Sequence, residues 1–110
     1  MDAKKKQKLE AAGWRVGSTA EFLDLTPEES ALIEFKISLG RLVRRTRVRF
    51  RLSQHALAQR LNSSQSRVAK VEAGDAGVSL DLAVKAALAA GAKRKELAQA
   101  IAPKRRAAAG

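Results

Sequence analysis

Leu52-Ser53-Gln54-His55-Ala56-Leu57-Ala58-Gln59-Arg60-Leu61-Asn62-Ser63-Ser64-Gln65-Ser66-Arg67-Val68-Ala69-Lys70-Val71-Glu72-Ala73-Gly74 reads as two short helices meeting across a three-residue turn. Ser53 is placed to cap a helix over 54–61 whose inward residues are Leu57, Ala58 and Leu61. Asn62-Ser63-Ser64 makes the turn, and a helix over 65–73 follows with Val68 and Val71 inward. Gly74 stops it. The small Ala58 lets the two helices cross closely, and the outer face of the second keeps Gln65, Ser66, Arg67 and Lys70.

Upstream, Thr26-Pro27-Glu28-Glu29 is a strong helix start: Thr26 at the cap, Pro27 with its φ already set, acids in the first turn, and Glu29 able to return a bond to Thr26. Leu32, Phe35, Leu39, Leu42, Val43 and Phe50 keep a helical stripe through an otherwise basic segment, so a long helix is expected over 27–49, with a kink near Gly40. Downstream, Asp75-Ala76-Gly77-Val78 is a loop. Ser79 caps a fourth helix, with Leu80, Val84, Ala87 and Leu88 on one face and Gly91 at its end. A fifth covers about 94–101 and Pro103 closes it. A further short helix through Phe22 and Leu23 is expected behind Ser18, three residues before Glu21. No strand-like alternation and no repeat is visible, so the class is all-α: five helices with an N-terminal helical extension. The organisation follows: 1–26 a flexible basic tail and Trp/Phe-containing extension, 27–102 the helical domain, 103–110 a basic tail.

The 110 residues suffice for one small domain. Leu, Ile, Val and Phe supply 26 of them, enough for a modest core despite the charge. There is no Cys and one His, which excludes disulfides, thiolate metal sites and a cysteine nucleophile. No cofactor or metal is expected. No apolar run has the length of a membrane span, and the basic start lacks the apolar stretch of a signal peptide, so a soluble cytoplasmic protein is expected.

The net charge is +11, and it is unevenly spread. Ten cations (Lys36, Arg41, Arg44, Arg45, Arg47, Arg49, Arg51, Arg60, Arg67 and Lys70) lie between Lys36 and Val71 with no acid among them, while five of the eleven acids fall between Glu21 and Glu34. Ten cations repel one another unless an anion relieves them, which points to a polyanionic partner. Two helices across a tight turn, with polar and basic residues outward at the start of the second, have helix-turn-helix geometry suited to a DNA major groove.

The segment resembles the Xre family, the helix-turn-helix class of phage repressor and Cro proteins. Its Ser-Gln-x-x-Leu-Ala-x-x-Leu, its Ser-Ser-Gln-Ser-Arg-Val turn and its closing Val-Glu-x-Gly carry the likeness, over about 39–101. The resemblance implies base-reading roles for Gln65, Ser66 and Lys70, phosphate contacts from Gln54 and Ser64, and an ion pair between Arg47 and Glu72. Arg67 and Arg44 join the expected phosphate contacts. It also implies a homodimer on a palindromic operator in double-stranded DNA. Ala73 stands where relatives often carry Asn, and the 75–78 loop holds no cation, so the contacts those positions make in relatives are not carried over.

Gly13-Trp14-Arg15-Val16-Gly17-Ser18, followed by Glu21-Phe22-Leu23-x-Leu25-Thr26-Pro27, resembles the leader of HigA-type antitoxins, small Xre proteins that accompany RelE-type toxins. This implies a toxin-binding role for Trp14, Phe22 and Leu25, in an antitoxin that represses its own operon. An apolar and acidic segment suits a basic partner; equally, Trp14 and Phe22 can fold back on the chain's own core. The alternative is a phage-type or housekeeping repressor with no toxin partner.

Enzymatic readings find little. His55 has no Ser, Asp or Glu within a turn to orient it, Gly13-x-x-x-Gly17 lacks the strand and the Lys-Thr of a phosphate loop, and Glu28, Glu29 and Glu34 suit the helix dipole. No catalytic residue is expected.

Overall fold

The computed structural model describes residues 24–102, which divide into two units within the first helix, between Glu34 and Phe35. The expected helix at Phe22, the basic tails, Trp14 and Phe22 lie outside the described residues. Five helices and no strand are present among those described: α1 Pro27–Arg49, α2 Gln54–Leu61, α3 Gln65–Glu72, α4 Leu80–Ala90 and α5 Arg94–Ile101. None is long and apolar enough to cross a membrane.

Local chemistry sets the ends of these helices. The Thr26 hydroxyl accepts the Glu29 N–H at 3.0 Å, and the Glu29 carboxylate accepts the Thr26 N–H at 2.8 Å, a closed capping box. Ser53, Ser64 and Ser79 each accept the N–H three residues on, from Ala56, Arg67 and Leu82. α2 ends at Asn62, in the left-handed region at φ 55°. α3 stops one residue earlier than expected, with Ala73 as its cap. At α5 the Glu96 carboxylate accepts the Lys93 N–H at 2.9 Å. Lysine has no acceptor to return that bond, so this end carries half a capping box.

The core is built from Leu39, Leu42 and Val43 of α1, Leu57 and Ala58 of α2, Val68 and Val71 of α3, and an alanine face of α4, with Val78 added from the loop. α4 packs on α2, α3 and α5. Its inward side differs in part from expectation: Ala87 is buried and Leu80 and Val84 are half-buried against the core as expected, but Ala83, Ala86 and Ala90 are buried too, and Leu88 is 46% exposed. Alanines at helical spacing let neighbouring backbones come close, and a leucine on that face would hold them apart. Leu61 is half-buried, and Leu32 and Phe50 stand largely exposed at the ends of the α1 stripe.

Gly40 marks a close approach. α1 passes through it as one α-helix, and a Cβ there would collide with the Val71 carbonyl and lie 3.0 Å from that of Glu72. The glycine therefore lets the backbone of α1 rest on the last turn of α3. Gly91, at φ 119° after α4, serves similarly under the Phe50 ring, which a Cβ would meet at 2.7 Å.

Candidate nucleic-acid interface

α2, the Asn62–Ser64 turn and α3 form one unit. It is fixed to α1 at the C-terminal end of α3. Arg47 donates to Glu72 through two nitrogens, Nε to Oε2 at 2.6 Å and Nη2 to Oε1 at 3.1 Å, and its Nη1 donates to the Leu52 carbonyl at 2.9 Å. The pair is mostly shielded, with side-chain exposures of 14% for Arg47 and 7% for Glu72. This is the fork geometry in which arginine and carboxylate bind most strongly. The ion pair expected between helix one and the end of the second motif helix is thus present.

The pair extends into the motif. Glu72 Oε1 also accepts the Gln54 amide at 3.1 Å, and Gln54 Oε1 in turn lies 3.4 Å from the Gln65 amide nitrogen. Four side chains, Arg47, Glu72, Gln54 and Gln65, therefore connect α1 and both motif helices. Gln54 is half-buried, and its amide is engaged at both ends. Sequence reasoning placed it as a phosphate contact; the structure adds that it holds the first residue of α3 in place. The signal was available in the spacing, since Gln54 opens α2 and Gln65 opens α3.

With Val68 and Val71 buried, helical geometry at about 100° per residue turns Ser66 and Lys70 outward beside a half-buried Ala69, with Gln65 on the flank beside Gln54 and Arg67 on the other flank. Gln65, Ser66, Arg67 and Lys70 are all exposed. The Ser64 hydroxyl accepts the Arg67 N–H at 3.2 Å and lies 3.2 Å from that of Ser66. The N-terminus of α3, where the helix dipole is positive, thus presents short polar side chains and Arg67, while Lys70 stands in the last turn. Arg44 is exposed on α1, about 60° around the helix from Arg47, so it flanks the same side.

Not every cation faces outward unpartnered. Lys36 donates to the Ala76 carbonyl at 2.9 Å and so secures the 75–78 loop, Arg60 donates to the Ala89 carbonyl near the end of α4 at 2.9 Å, and Arg49 pairs with Glu96 at 3.3 Å while stacking on Phe50. With Arg47, four of the ten basic residues hold the fold together. Sequence reasoning missed the uses of Lys36, Arg49 and Arg60, because each partner lies 29 to 47 residues away.

His55 is exposed on α2, and no group of His, Asp and Glu among the described residues could hold a metal ion. Leu25 is half-buried.

A family model described as a helix-turn-helix domain matches residues 38–100. Neither the curated proteins nor the solved structures contain a match. The matched span starts within α1 and ends within α5, so it takes in the whole motif, the Arg47–Glu72 pair and the alanine face of α4.

Proposed function

The chain belongs to the helix-turn-helix domain family, and on that premise we propose that it is a sequence-specific DNA-binding transcriptional regulator that works without catalysis. The observation that carries this reading is the exposed row along α3 with its rigid support. Gln65, Ser66 and Lys70 project from a helix whose register is held by Glu72, Arg47 and Gln54, and base edges are read by side chains that hold their position. Arg44, Arg67 and Ser64 take the neighbouring phosphates and carry no sequence information themselves.

One α3 reads only a few base pairs, so the protein acts as a homodimer on a palindromic operator. In the finer reading it is a cytoplasmic antitoxin that represses its own operon and binds a RelE-type toxin through the segment of Trp14, Phe22 and Leu25. Support for this is the acidic and apolar character of that segment beside a basic domain. A repressor with no toxin partner is the other reading.

An operator selected from random duplexes tests the DNA proposal in a gel-shift titration. Gln65→Ala or Lys70→Ala is expected to cost about 1–3 kcal/mol on that operator, to relax preference at one position, and to change random-DNA binding little. Equal losses on both DNAs would reject the assignment. Co-expression with the product of the adjacent gene, scored by growth, decides between the finer readings. A harmless neighbour removes the antitoxin role.

A further inference from the structure

The far side of α1 carries a second basic site. At about 100° per residue, Arg41 and Arg45 lie one turn apart on a face rotated about 120° and 160° from Arg47, the residue that reaches α3. A shallow groove of about 170 Å³ runs there between α1 and α5. Ser38, Arg41 and Arg45 line one wall and Glu96, Gln99 and Ala100 the other.

The charge in this groove is unbalanced. Glu96 is already engaged, one oxygen accepting the Lys93 N–H at 2.9 Å and the other accepting from Arg49 at 3.3 Å. Those donors, the Lys93 N–H first, hold its carboxyl below the usual carboxylate range. Among the described residues no carboxylate pairs with Arg41 or Arg45. Two guanidinium forks one turn apart, a serine hydroxyl one turn before the first and a glutamine amide on the opposite wall form a donor set suited to oxyanions, which guanidinium binds with two parallel bonds.

We propose that this groove binds a small molecule through a phosphate or carboxylate group, at a site separate from the α3 face. The concavity argues for a small ligand over a duplex. A phosphate-sized head fits between the helices against the wall of Ser38, Arg41 and Arg45.

The test is a titration of the full-length, isotope-labelled protein with pyrophosphate, followed by NMR at the backbone amides and the arginine Nε–H groups. Saturable shifts are expected at Ser38, Arg41, Arg45 and Gln99. Arg41→Gln/Arg45→Gln should weaken them by about tenfold or more while leaving other resonances in place, since each lost charge-assisted bond is worth about a factor of ten. Arg41→Gln alone provides the same comparison, at smaller amplitude, should the double variant fold poorly. Citrate as a second probe separates phosphate from carboxylate preference, and either answer supports the site. Shifts that persist in both variants, that never saturate, or that centre on residues 65–70 overturn the proposal. So does a short duplex that moves the groove residues at lower concentration than pyrophosphate, which would make this face part of the DNA footprint.

Discussion

Glu72→Ala removes the carboxylate on which α1, α2 and α3 converge. Three hydrogen bonds are lost, two from Arg47 and one from Gln54. Breaking a fully buried pair costs about 3–5 kcal/mol, because a charge is stranded. Here the cost is smaller, since Arg47 keeps its bond to the Leu52 carbonyl and is 14% exposed, so water reaches it in part. There is also a gain: Glu72 is the last residue of α3, where a carboxylate opposes the helix dipole by about 0.3–1 kcal/mol. The balance is a loss of about 2 kcal/mol, a large share of the roughly 5–15 kcal/mol that holds such a domain together. A domain of this size should then melt about 8–16 °C lower. Urea denaturation followed by helical circular dichroism gives the free energy directly. Adding Arg47→Leu to Glu72→Ala removes the stranded cation, so the double variant should be more stable than Glu72→Ala alone. Operator affinity measured well below the melting temperature should also fall, because Gln54 and Gln65 lose their anchor. Glu72→Ala within about 0.5 kcal/mol of the parent, the range of an ordinary surface change, would refute the reasoning.

Gly40→Ala is expected to destabilise by about 1–3 kcal/mol in the same urea assay, because its Cβ would meet the Val71 carbonyl. Helix propensity alone predicts a gain of about 1 kcal/mol, so the sign decides between them. Thr46 is buried and its hydroxyl has no partner, so Thr46→Val, nearly the same shape, should stabilise by about 1–2 kcal/mol; a loss would mean the hydroxyl is satisfied. The Glu29 and Glu96 carboxyls are held below their usual range, first by the backbone N–H of Thr26 and of Lys93 respectively. A carboxylate depressed in the folded state adds stability that is complete above its unfolded pKa and is lost as pH falls through the folded one. Glu29→Gln/Glu96→Gln should therefore flatten the fall in stability below about pH 4.5, near the ordinary carboxylate value, and an unchanged acid limb would count against both contacts.

The helix ends were legible because their determinants are local. A serine or threonine accepting the N–H three residues on, a proline at the first position or a glycine past the last acts within one turn, and the sequence shows these around residues 26, 53, 79 and 91. What is decided across the fold was less readable. In α4 both Leu88 and the alanines recur at helical spacing, and only the neighbouring helices determine which row turns inward. Gly40 looks like a flexible point in one dimension and is a contact in three. The Arg47–Glu72 pair was reached through the resemblance; composition alone did not distinguish Arg47 from the other nine cations. The run of positive charge accordingly overstated the surface available to an anion, since Lys36, Arg47, Arg49 and Arg60 are held by acceptors within the chain.

The division of labour within α3 follows from these contacts. An eight-residue helix is too short to be stable alone, so α3 depends on its surroundings at three places: Ser64 at its start, Val68 and Val71 beneath it, and Glu72 with Gly40 at its end. None of these is Ser66 or Lys70, the exposed residues directed away from the core. Outward side chains can therefore change with little effect on folding. Gln65 is tied in most deeply, because its amide reaches Gln54 and through it Glu72, while Ser66 touches only the Ser64 hydroxyl. Base preference at Gln65 should be coupled to stability, whereas preference at Lys70 should not. In paired measurements of melting temperature and operator affinity, substitutions at 65 would move both and substitutions at 70 only the affinity. Equal independence at the two positions would show that the 3.4 Å contact between Gln65 and Gln54 contributes nothing to holding the helix.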